Sequence, residues 1–533
     1  MPQHPSHLPT ATARLIVAAA AVLGLCLPPS AAHAALKQAT SNKATADAAK
    51  PAGLNLIPWP KALRVSQDAP NLSLTRNSRV VAMAEELKPL AALLSEEIFL
   101  ASGLRVAAGA GKPVKGDIVL QLNRSLQADT KILTVRDLKV VKTRDGAHTL
   151  TVDDRALVEG FDYRAVAEGT ATLLQALRIV PGRSLALPRM TVKDWPHSDF
   201  NGVMVDCGRQ NIPIEALQQM VETCRLYKVR YLHLHLSDDQ GFTFPSQAFP
   251  KLGTRNDAAH GGIPPKVYDL KQLKALVAYA DARAVTLVPE LETPGHSGAM
   301  RLAMPELFDA PKTPGGGAWL AVMNMANDEI YPALDTLVGE MCDVFKSSPY
   351  FHIGGDECNL NLLASLPQTT AYLKQNKLNG MGELFVQHNK RMNEIVKKHG
   401  KKTLVWEGAG LDASLKDDVI VYPWVGDSSA ATSYQKQGFT TITVPWTLGV
   451  PVEQWNMYVC NASRLARSDR VLGALLPMWE MNAEALINTY RLGIPTRQER
   501  TWGPDNQFTV AEFEARAAAT EILVKKLIFP PPK

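Results

Sequence analysis

Two carboxylic acids, Asp356 and Glu357, stand side by side in the stretch HIGGDECN at residues 352–359. The residues YFHI at 350–353 indicate a buried strand, so the pair is expected where that strand ends, behind two glycines. Repulsion between adjacent carboxylates favours protonation of one of them near neutral pH. A carboxyl group protonated near its working pH can serve as a general acid. An isolated Asp-Glu pair, by contrast, most often lies in a solvated surface turn.

Polar and aromatic residues follow the other predicted strands in the same way. The pattern comprises acids, one arginine, histidines and tryptophans. It includes Asp206 and Arg209, the stretches HLHLSDDQGF (233–242) and PELETPGHS (289–297), and the pairs or single residues Trp406-Glu407, Trp424, Trp446 and Trp479-Glu480. If these strand ends meet, they form a polar pocket with aromatic walls. Indole rings stack on the C–H faces of sugars, while carboxylates and guanidinium groups form hydrogen bonds with sugar hydroxyls. The residue types therefore favour a carbohydrate ligand.

The segments that must position these residues predict an α/β fold with two parts. Eight strand-like runs alternate with amphipathic helices over residues 196–533, which predicts a (β/α)8 TIM barrel with a C-terminal helix. A doubly wound open sheet gives a similar alternation, but polar residues at the ends of nearly all the strands favour the barrel. Residues 54–195 mix short strands with helical segments such as 84–102 and 165–180, and they predict a small α+β domain.

The N-terminus has the pattern of a targeting segment. An apolar run at 15–27 follows Arg14, and small residues ending at Ala34 complete the pattern of a secretory signal peptide over residues 1–34. Residues 35–53 are small and polar, and they predict a flexible leader. The expected location is periplasmic or secreted. A lipid anchor on Cys26 is less favoured, because Leu25 is bulkier than lipoprotein cleavage sites normally accept.

The composition and charge distribution indicate which classes of binding partner the protein is not expected to have. Apolar residues make up 46% and charged residues 20% of the chain, and the net charge of +5 is spread without a dense basic block. Nucleic acid is therefore excluded as an expected partner. The apolar run at 15–27 is too short for an integral membrane span. The cysteines are widely spaced, with no C-x-x-C pair, which argues against a disulfide framework and a structural zinc site.

Five stretches resemble motifs of the family 20 glycoside hydrolases, the β-N-acetylhexosaminidases. They are DCGRQ (206–210), YLHLHLSDDQGF (231–242), VPELETPGHS (288–297), HIGGDE (352–357) and LPMWE (476–480). The resemblance extends over about residues 55–527. It implies hydrolysis of terminal, non-reducing β-linked N-acetylhexosamine from an oligosaccharide or glycoconjugate. In that family the substrate's own acetamido group is the nucleophile, the configuration is retained, and neither a cofactor nor a metal takes part.

The resemblance also implies a role for each matching residue. Glu357 matches the acid–base residue, and repulsion from Asp356 should help keep it protonated near neutral pH. Asp356 matches the acid that orients the acetamido group and offsets the charge of an oxazolinium intermediate. His296 and Asp238 match a hydrogen-bonded relay to that glutamate. The residues that match substrate contacts are Arg209, which holds sugar hydroxyls, the wall residues Trp406, Trp424 and Trp479, and Glu480 at the far side of the ring.

Departures from the family pattern leave two other functions open. Members place a Tyr after the seventh strand to hold the acetamido oxygen, but residues 444–455 contain none, so Tyr458 or Tyr422 is a possible substitute. A chain without that contact could be an exported sugar-binding protein with a hexosaminidase-like but inactive pocket. The spacing of His233 and His235 also permits a zinc-dependent barrel hydrolase, although packing is the more common role for such a pair.

Overall fold

The computed structural model describes residues 53–134, 139–180, 184–254, 266–308, 322–424, 429–444, 470–503 and 508–529. The signal peptide expected at 1–34 and residues 35–52 of the expected leader lie outside the described residues, as do Trp446 and Tyr458. These expectations stay predictions.

The first part of the described chain is an α+β arrangement of twelve short strands and two helices. The strands are β1 (Ala62–Val65), β2 (Leu72–Leu74), β3 (Arg79–Ala82), β4 (Ala107–Gly109), β5 (Ile118–Leu122), β6 (Lys131–Leu133), β7 (Val140–Lys142), β8 (His148–Val152), β9 (Ala156–Gly160), β10 (Arg178–Val180), β11 (Ser184–Leu187) and β12 (Met190–Asp194). Seven of them form a mixed sheet in the order β1-β12-β8-β9-β5-β3-β4, and β10-β11-β2 form a smaller sheet beside the β6-β7 pair.

Two helices, α1 (Lys88–Ser102) and α2 (Tyr163–Ala176), cover this sheet. Helix α2 begins at Asp162, whose carboxylate accepts a hydrogen bond from the backbone N–H of Ala165 at 2.8 Å and so caps the first turn. The helix predicted over 165–180 is too long at its C-terminal end. The β-branched residues of 178–180 instead form strand β10, which pairs with β11.

The second part is a closed barrel of eight parallel strands, which confirms the predicted (β/α)8 fold over the open sheet. Its strands are β13 (Phe200–Asp206), β14 (Tyr231–His235), β15 (Thr286–Glu290), β16 (Tyr350–His352), β17 (Lys402–Trp406), β18 (Val419–Tyr422), β19 (Thr440–Thr443) and β20 (Val471–Met478). Strand β20 pairs with β13 and closes the barrel. At this closure the backbone of Gly473 comes so near Phe200 that a Cβ would lie 1.7 Å from its carbonyl oxygen. Only glycine fits there.

The helices of the barrel part connect and surround its strands. They are α3 (Ile214–Leu226), α4 (Leu270–Asp281), α5 (Gly298–Ala303), α6 (Pro305–Phe308), α7 (Ile330–Val344), α8 (Asn361–Ala364), α9 (Pro367–Gln375), α10 (Met381–Lys398), α11 (Ser429–Lys436), α12 (Ala483–Asn488), α13 (Gly493–Trp502) and α14 (Val510–Ile528). Short 3₁₀ helices lie at Glu85–Leu87 and Ala413–Leu415. Across the described residues, no helix is both long enough and apolar enough to span a membrane.

Aromatic side chains fill the floor of the barrel. Phe200 stacks on Tyr231 with ring centroids 4.6 Å apart, and Tyr350 and Tyr422 meet this pair edge-on. All four side chains are fully buried. Because the floor is a packed core, ligand access is left to the opposite end, where the strands finish.

A buried charge cluster joins the α+β part to the barrel part. Asp194, the last residue of β12, contacts the Lys228 ammonium at 2.7 Å, accepts a hydrogen bond from Trp502 Nε1 at 3.0 Å, and lies 3.7 Å from His148 Nε2. All four side chains are buried. We call these four residues the interdomain cluster.

Helix α14 returns to the beginning of the α+β part. Arg516 on this helix forms an ion pair with Glu499 at 2.9 Å and donates a hydrogen bond to the carbonyl of Leu56 at 2.6 Å. The hydroxyl of Thr520 donates to the carbonyl of Asn55 at 2.9 Å. The last described helix therefore holds the first described residues in place.

Candidate active site

The carboxyl pair follows β16 at the C-terminal mouth of the barrel. Gly354 and Gly355 turn the chain there with φ angles of +73° and +103°, a left-handed conformation that favours glycine. A Cβ on Gly354 would lie 1.6 Å from Oε2 of Glu292, so the turn needs glycine for space as well. The turn places Asp356 and Glu357 in the wall of a cavity.

The cavity has a volume of about 310 Å³ and is lined by nine residues. They are Arg209, Glu292, His296, Asp356, Glu357, Trp406, Trp424, Trp479 and Glu480. Eight of these nine were predicted from the sequence, and the ninth is Glu292. Asp238, which was also predicted, lies behind the wall with 1% of its surface exposed. The structure thus brings together the nine residues assigned to the site by the family resemblance.

Asp238, His296 and Glu357 form a continuous chain of contacts, which we call the relay. Nδ1 of His296 lies 3.4 Å from Oδ1 of Asp238, and Nε2 lies 3.3 Å from Oε2 of Glu357. Burial lowers the pKa of His296, but Asp238 and the hydrogen bonds around the ring outweigh this and raise it well above its usual range. The imidazole is therefore positively charged and faces Glu357.

The expectation that repulsion from Asp356 keeps Glu357 protonated is wrong in this geometry. The hydrogen bond from His296 lowers the pKa of Glu357 and outweighs its partial burial, and the side chain is 47% exposed. Asp356 behaves in the opposite way, because burial raises its pKa to about 6. The sequence showed which two acids are adjacent but not how far each is from water and from His296.

Asp356 also has a buried oxygen that meets no hydrogen-bond donor in the described part of the chain. Its side chain is 8% exposed, and no group of the described residues donates a hydrogen bond to the buried atom Oδ1. A buried acceptor of this kind costs free energy unless a donor meets it. The cavity wall thus offers an acceptor suited to an N–H or O–H group of a ligand.

Arg209 connects the cavity to the relay. Its Nη2 lies 2.7 Å from Oδ2 of Asp238 and its Nη1 lies 3.3 Å from Oδ2 of Asp206, while its guanidinium carbon lies 4.9 Å from the ring centroid of Trp479. The backbone N–H of Glu480 donates to the same Asp206 oxygen at 3.2 Å. Asp206 therefore fixes two cavity residues at once.

Glu292 is the cavity residue that the sequence analysis did not assign. It is fully buried, and its backbone N–H donates to Ser237 Oγ at 2.9 Å. Burial, followed by the nearby charge of Asp356, raises its pKa well above the usual range, so it is a neutral acid. The sequence feature that could have identified Glu292 is its spacing of two residues from Glu290, because residues i and i+2 of an extended segment point to the same side.

Tryptophans form the aromatic wall, and Tyr422 does not belong to it. The ring centroids of Trp406 and Trp479 lie 5.4 Å apart, and Nε1 of Trp406 donates to Oε1 of Glu290 at 2.6 Å. Tyr422 is fully buried in the barrel floor against Trp406 and His352 and does not line the cavity. The suggestion that Tyr422 replaces the acetamido-binding tyrosine is therefore wrong, and Tyr458 lies outside the described residues.

Three groups of side chains under the cavity could approach a metal ion. Their ligand atoms lie within 4.8 Å of one another, in the sets His233/Glu290/His352, His235/Glu290/Glu292 and Asp238/Asp239/His296. In the first two sets Glu290 already accepts hydrogen bonds from His235 and Trp406. In the third, Asp238 is paired with Arg209. Glu290 and Asp238 therefore already have protein partners in this structure.

Comparison with protein families matches two models to consecutive parts of the chain. The model described as glycosyl hydrolase family 20, catalytic domain, matches residues 199–465, and glycosyl hydrolase family 20, domain 2, matches residues 53–195. Together the two models account for most of the chain.

Named relatives include two bacterial proteins. The chain is 25% identical over 389 residues to a beta-hexosaminidase of Porphyromonas gingivalis, covering 70% of this chain and 48% of that protein. It is 35% identical over 258 residues to a beta-hexosaminidase of Akkermansia muciniphila, covering 46% and 52%. The chain thus spans about half the length of the curated relatives it matches.

Solved structures share the fold. An exo beta-N-acetylglucosaminidase of Vibrio harveyi superimposes with a TM-score of 0.76 at 19% identity, covering 89% of this chain and 77% of the other. A chitobiase of Flavobacterium johnsoniae gives a TM-score of 0.74 at 23% identity, covering 89% and 73%. At these identities the likeness shows a common architecture.

Proposed function

The chain belongs to glycosyl hydrolase family 20, and from this premise we propose that it is a β-N-acetylhexosaminidase. It removes terminal, non-reducing β-linked N-acetylhexosamine from an oligosaccharide or glycoconjugate. The observation that carries the proposal is the buried Asp356 oxygen to which none of the described residues donates, next to a carboxyl group that contacts a charged histidine. The first suits an acetamido N–H, and the second suits proton transfer.

Glu357 is the general acid and then the general base. A sugar that fills the cavity removes water from this half-exposed carboxyl, and the loss of hydration raises its pKa. The proton on Nε2 of His296 then crosses the 3.3 Å contact to Oε2 of Glu357. Glu357 donates that proton to the glycosidic oxygen as the bond from this oxygen to C1 breaks. The water oxygen later attacks C1 and the water gives a proton to Glu357. That proton returns to Nε2 of His296 across the same contact, which restores the starting state.

Asp356 positions the internal nucleophile. Its ionised carboxylate accepts a hydrogen bond from the acetamido N–H, which aims the acetamido oxygen at C1 and offsets the positive charge of the oxazolinium ion. The acetamido oxygen attacks C1 from the face opposite the leaving group, and water then attacks from the face that the leaving group has vacated, so the two inversions retain the β configuration. Because burial raises the pKa of Asp356 to about 6, activity on N-acetyl substrates should fall as the pH drops below that value.

The size and walls of the cavity favour a single terminal sugar. A volume of about 310 Å³ is at the small end of ligand pockets. Trp406, Trp424 and Trp479 provide flat faces for the ring, while Arg209 and Glu480 lie where they can form hydrogen bonds with hydroxyls. A cavity of this kind suits an exo-acting hydrolase.

The test is hydrolysis of 4-nitrophenyl N-acetyl-β-glucosaminide, with the plain β-glucoside as the matched substrate and a parallel sample in EDTA. The expected result is turnover of the N-acetyl substrate alone, unchanged by the chelator. In Asp356→Asn this selectivity should shrink, because the neutral amide cannot offset the developing charge. Tight binding of an N-acetylglucosamine thiazoline without turnover would overturn the proposal in favour of a sugar-binding protein. Chelator-sensitive turnover would favour a metal-dependent hydrolase instead.

A further inference from the structure

Glu290, the last residue of β15, gathers side chains from three other strands beneath the cavity. His235 Nδ1 contacts Oε2 at 2.6 Å and His233 Nε2 lies 3.1 Å from the same oxygen. His352 Nδ1 lies 2.8 Å from Oε1, and Trp406 Nε1 donates to Oε1 at 2.6 Å. All of these side chains are buried. We call these five residues the Glu290 cluster.

His235 is the member of this cluster that also contacts the relay. Its Nδ1 contacts Glu290, and its Nε2 lies 2.9 Å from Oδ2 of Asp238. An ionised carboxylate can only accept hydrogen bonds, so an imidazole held between two carboxylates must donate from both nitrogens. A ring that donates from both nitrogens is an imidazolium. The pKa values of Asp238 and Glu290 lie below their usual range, so both are ionised, and the contacts then favour a positive charge at His235, whose own pKa is raised by these carboxylates.

Asp238 is held in one orientation by its partners. Oδ2 receives His235 Nε2 and the Arg209 guanidinium, so Oδ1 is turned toward Nδ1 of His296. Burial raises the pKa of Asp238, but Arg209, His296 and His235 outweigh this and hold it far below the usual range. Asp238 thus stays an anion. A mobile proton is then confined to the end of the relay formed by His296 and Glu357.

We propose that Glu290 and His235 are positioning residues of the acid–base site, which orient Asp238 so that His296 is held against Glu357. The proposal rests on the proposed function of Glu357. It extends the relay by two buried residues that do not line the cavity.

A change of charge at His235 should move the pH dependence of the reaction. The titratable and charged groups around its ring are Asp206, Arg209, His233, Asp238, Glu290, Glu292, His296 and His352. Removal of one positive charge from this set favours the protonated form of each neighbouring acid and base. In a plot of reaction rate against pH, the acidic limb and the basic limb should therefore both move to higher pH.

Two substitutions separate the charge from the hydrogen bonds. In His235→Gln the amide nitrogen can replace Nε2 and donate to Asp238, and in His235→Asn it can replace Nδ1 and donate to Glu290. We expect His235→Gln to lower kcat about tenfold at unchanged KM and to move both limbs up by about half to one pH unit. His235→Asn should lower kcat further, because Asp238 then loses its donor.

A double variant tests whether charge is the cause. Glu290 and His235 together carry no net charge, His235→Gln leaves one negative charge, and His235→Gln with Glu290→Gln is neutral again. The limbs should therefore return toward those of the wild type in the double variant. The matched control is His148→Gln, which removes a buried but neutral imidazole and should leave kcat and both limbs unchanged. Unchanged limbs in His235→Gln, with or without a lower kcat, would overturn the proposal.

Imidazole NMR provides a readout that does not depend on turnover. In wild-type protein labelled with 15N-histidine, His235 should show protons on both ring nitrogens up to pH 8, assigned by their loss in His235→Gln. A neutral ring at pH 7 would overturn the proposal even if the enzyme is active. If the wild type does not hydrolyse the N-acetyl substrate, the proposed function fails, and the charged ring is judged by this measurement alone.

Discussion

His235 and His148 are both buried histidines in contact with aspartate, yet they carry different charges. His235 lies between two carboxylates, 2.6 Å from Glu290 and 2.9 Å from Asp238. His148 lies 3.7 Å from Asp194, whose charge the Lys228 ammonium already balances at 2.7 Å. Burial lowers the pKa of both rings. At His235 the carboxylates raise it well above the usual range, whereas at His148 burial and Lys228 hold it at about 4.

The difference shows that the charge of a buried histidine depends on the carboxylates around it. Only carboxylates that are not already balanced by another cation favour the protonated imidazole. In the interdomain cluster a lysine supplies the cation, so the imidazole is neutral and the cluster serves to join two parts of the chain. Near the cavity the imidazole is itself the cation, and its neighbours include groups that exchange protons. Changes in the first cluster should therefore affect stability, and changes near the cavity should affect rate.

The largest effect is expected for Glu357→Gln, which should lower kcat by about 10²–10⁴-fold because the general acid is lost. Its unfolding temperature should stay close to that of the wild type, since the side chain is half exposed. The measurements are steady-state kinetics and thermal unfolding. Glu480→Gln is the matched control, because it changes another cavity carboxylate outside the relay and should raise KM more than it lowers kcat. Near-normal kcat in Glu357→Gln would contradict the assigned role.

Lys228→Met should have the reverse effect of Glu357→Gln, with a large loss of stability and no change in the catalytic rate. It keeps the length of the side chain but leaves the buried Asp194 carboxylate without its cation, which costs about 3–5 kcal/mol of unfolding free energy. The rate per folded molecule should not change. Urea unfolding measures the first quantity, and kinetics normalised to thiazoline-binding sites measures the second. A loss of stability below about 1 kcal/mol would show that the interdomain cluster does not hold the two parts together.

Glu168→Gln should change how stability depends on pH. Burial raises the pKa of Glu168 from 4.5 to about 7, so this group stabilises the fold below pH 4.5 and that contribution is lost as the pH rises to 7. Burial lowers the pKa of His148 from 6.5 to about 4, so its contribution is present above pH 6.5 and is lost as the pH falls to 4. In the wild type the two slopes oppose each other between pH 4.5 and 6.5.

In Glu168→Gln the contribution of Glu168 to the pH dependence of the unfolding free energy is absent, and the opposing contribution of His148 remains. Relative to the wild type, the unfolding free energy of Glu168→Gln should rise with pH by up to about 1.4 kcal/mol per unit between pH 4.5 and 6.5. Urea unfolding at three pH values in this window measures it. The added substitution His148→Gln should remove the slope again. The same pH dependence in wild type and Glu168→Gln would refute the assignment.

The smallest effect is expected for an exposed pair. Lys390 and Asp412 are 2.7 Å apart with side chains 40% and 43% exposed, so Lys390→Ala should cost at most about 1 kcal/mol. The value should fall further in 1 M salt, because exposed charges are screened. Set beside Lys228→Met, this variant measures how much of the larger cost comes from burial. Equal losses in the two variants would show that burial is not the cause.

The sequence predicted the architecture and the membership of the site better than its protonation. Parallel strands in a closed barrel bring their C-terminal ends to one mouth, so residues as distant as Arg209 and Trp479 could be placed together from strand order alone. The contact between His235 and Glu290 joins residues 55 apart in the chain and depends on side-chain direction within the barrel. The pKa of Glu357 depends on a 3.3 Å contact that no spacing reveals.

Helix lengths show a similar limit. The predicted helix over 165–180 has apolar residues at helical spacing throughout, but its last three residues pair with β11 instead. That choice depends on a partner strand later in the chain, which local pattern does not contain.

The return of helix α14 to Asn55 and Leu56 has a consequence for biosynthesis. The α+β part emerges from the ribosome first, yet within the described chain the carbonyls of these two residues accept hydrogen bonds from Arg516 and Thr520, close to the C-terminus. The nascent α+β part can therefore form its own sheet early but cannot complete its N-terminal edge until the ribosome has translated α14. Pulse proteolysis of ribosome-bound chains of increasing length should show this edge becoming protected last.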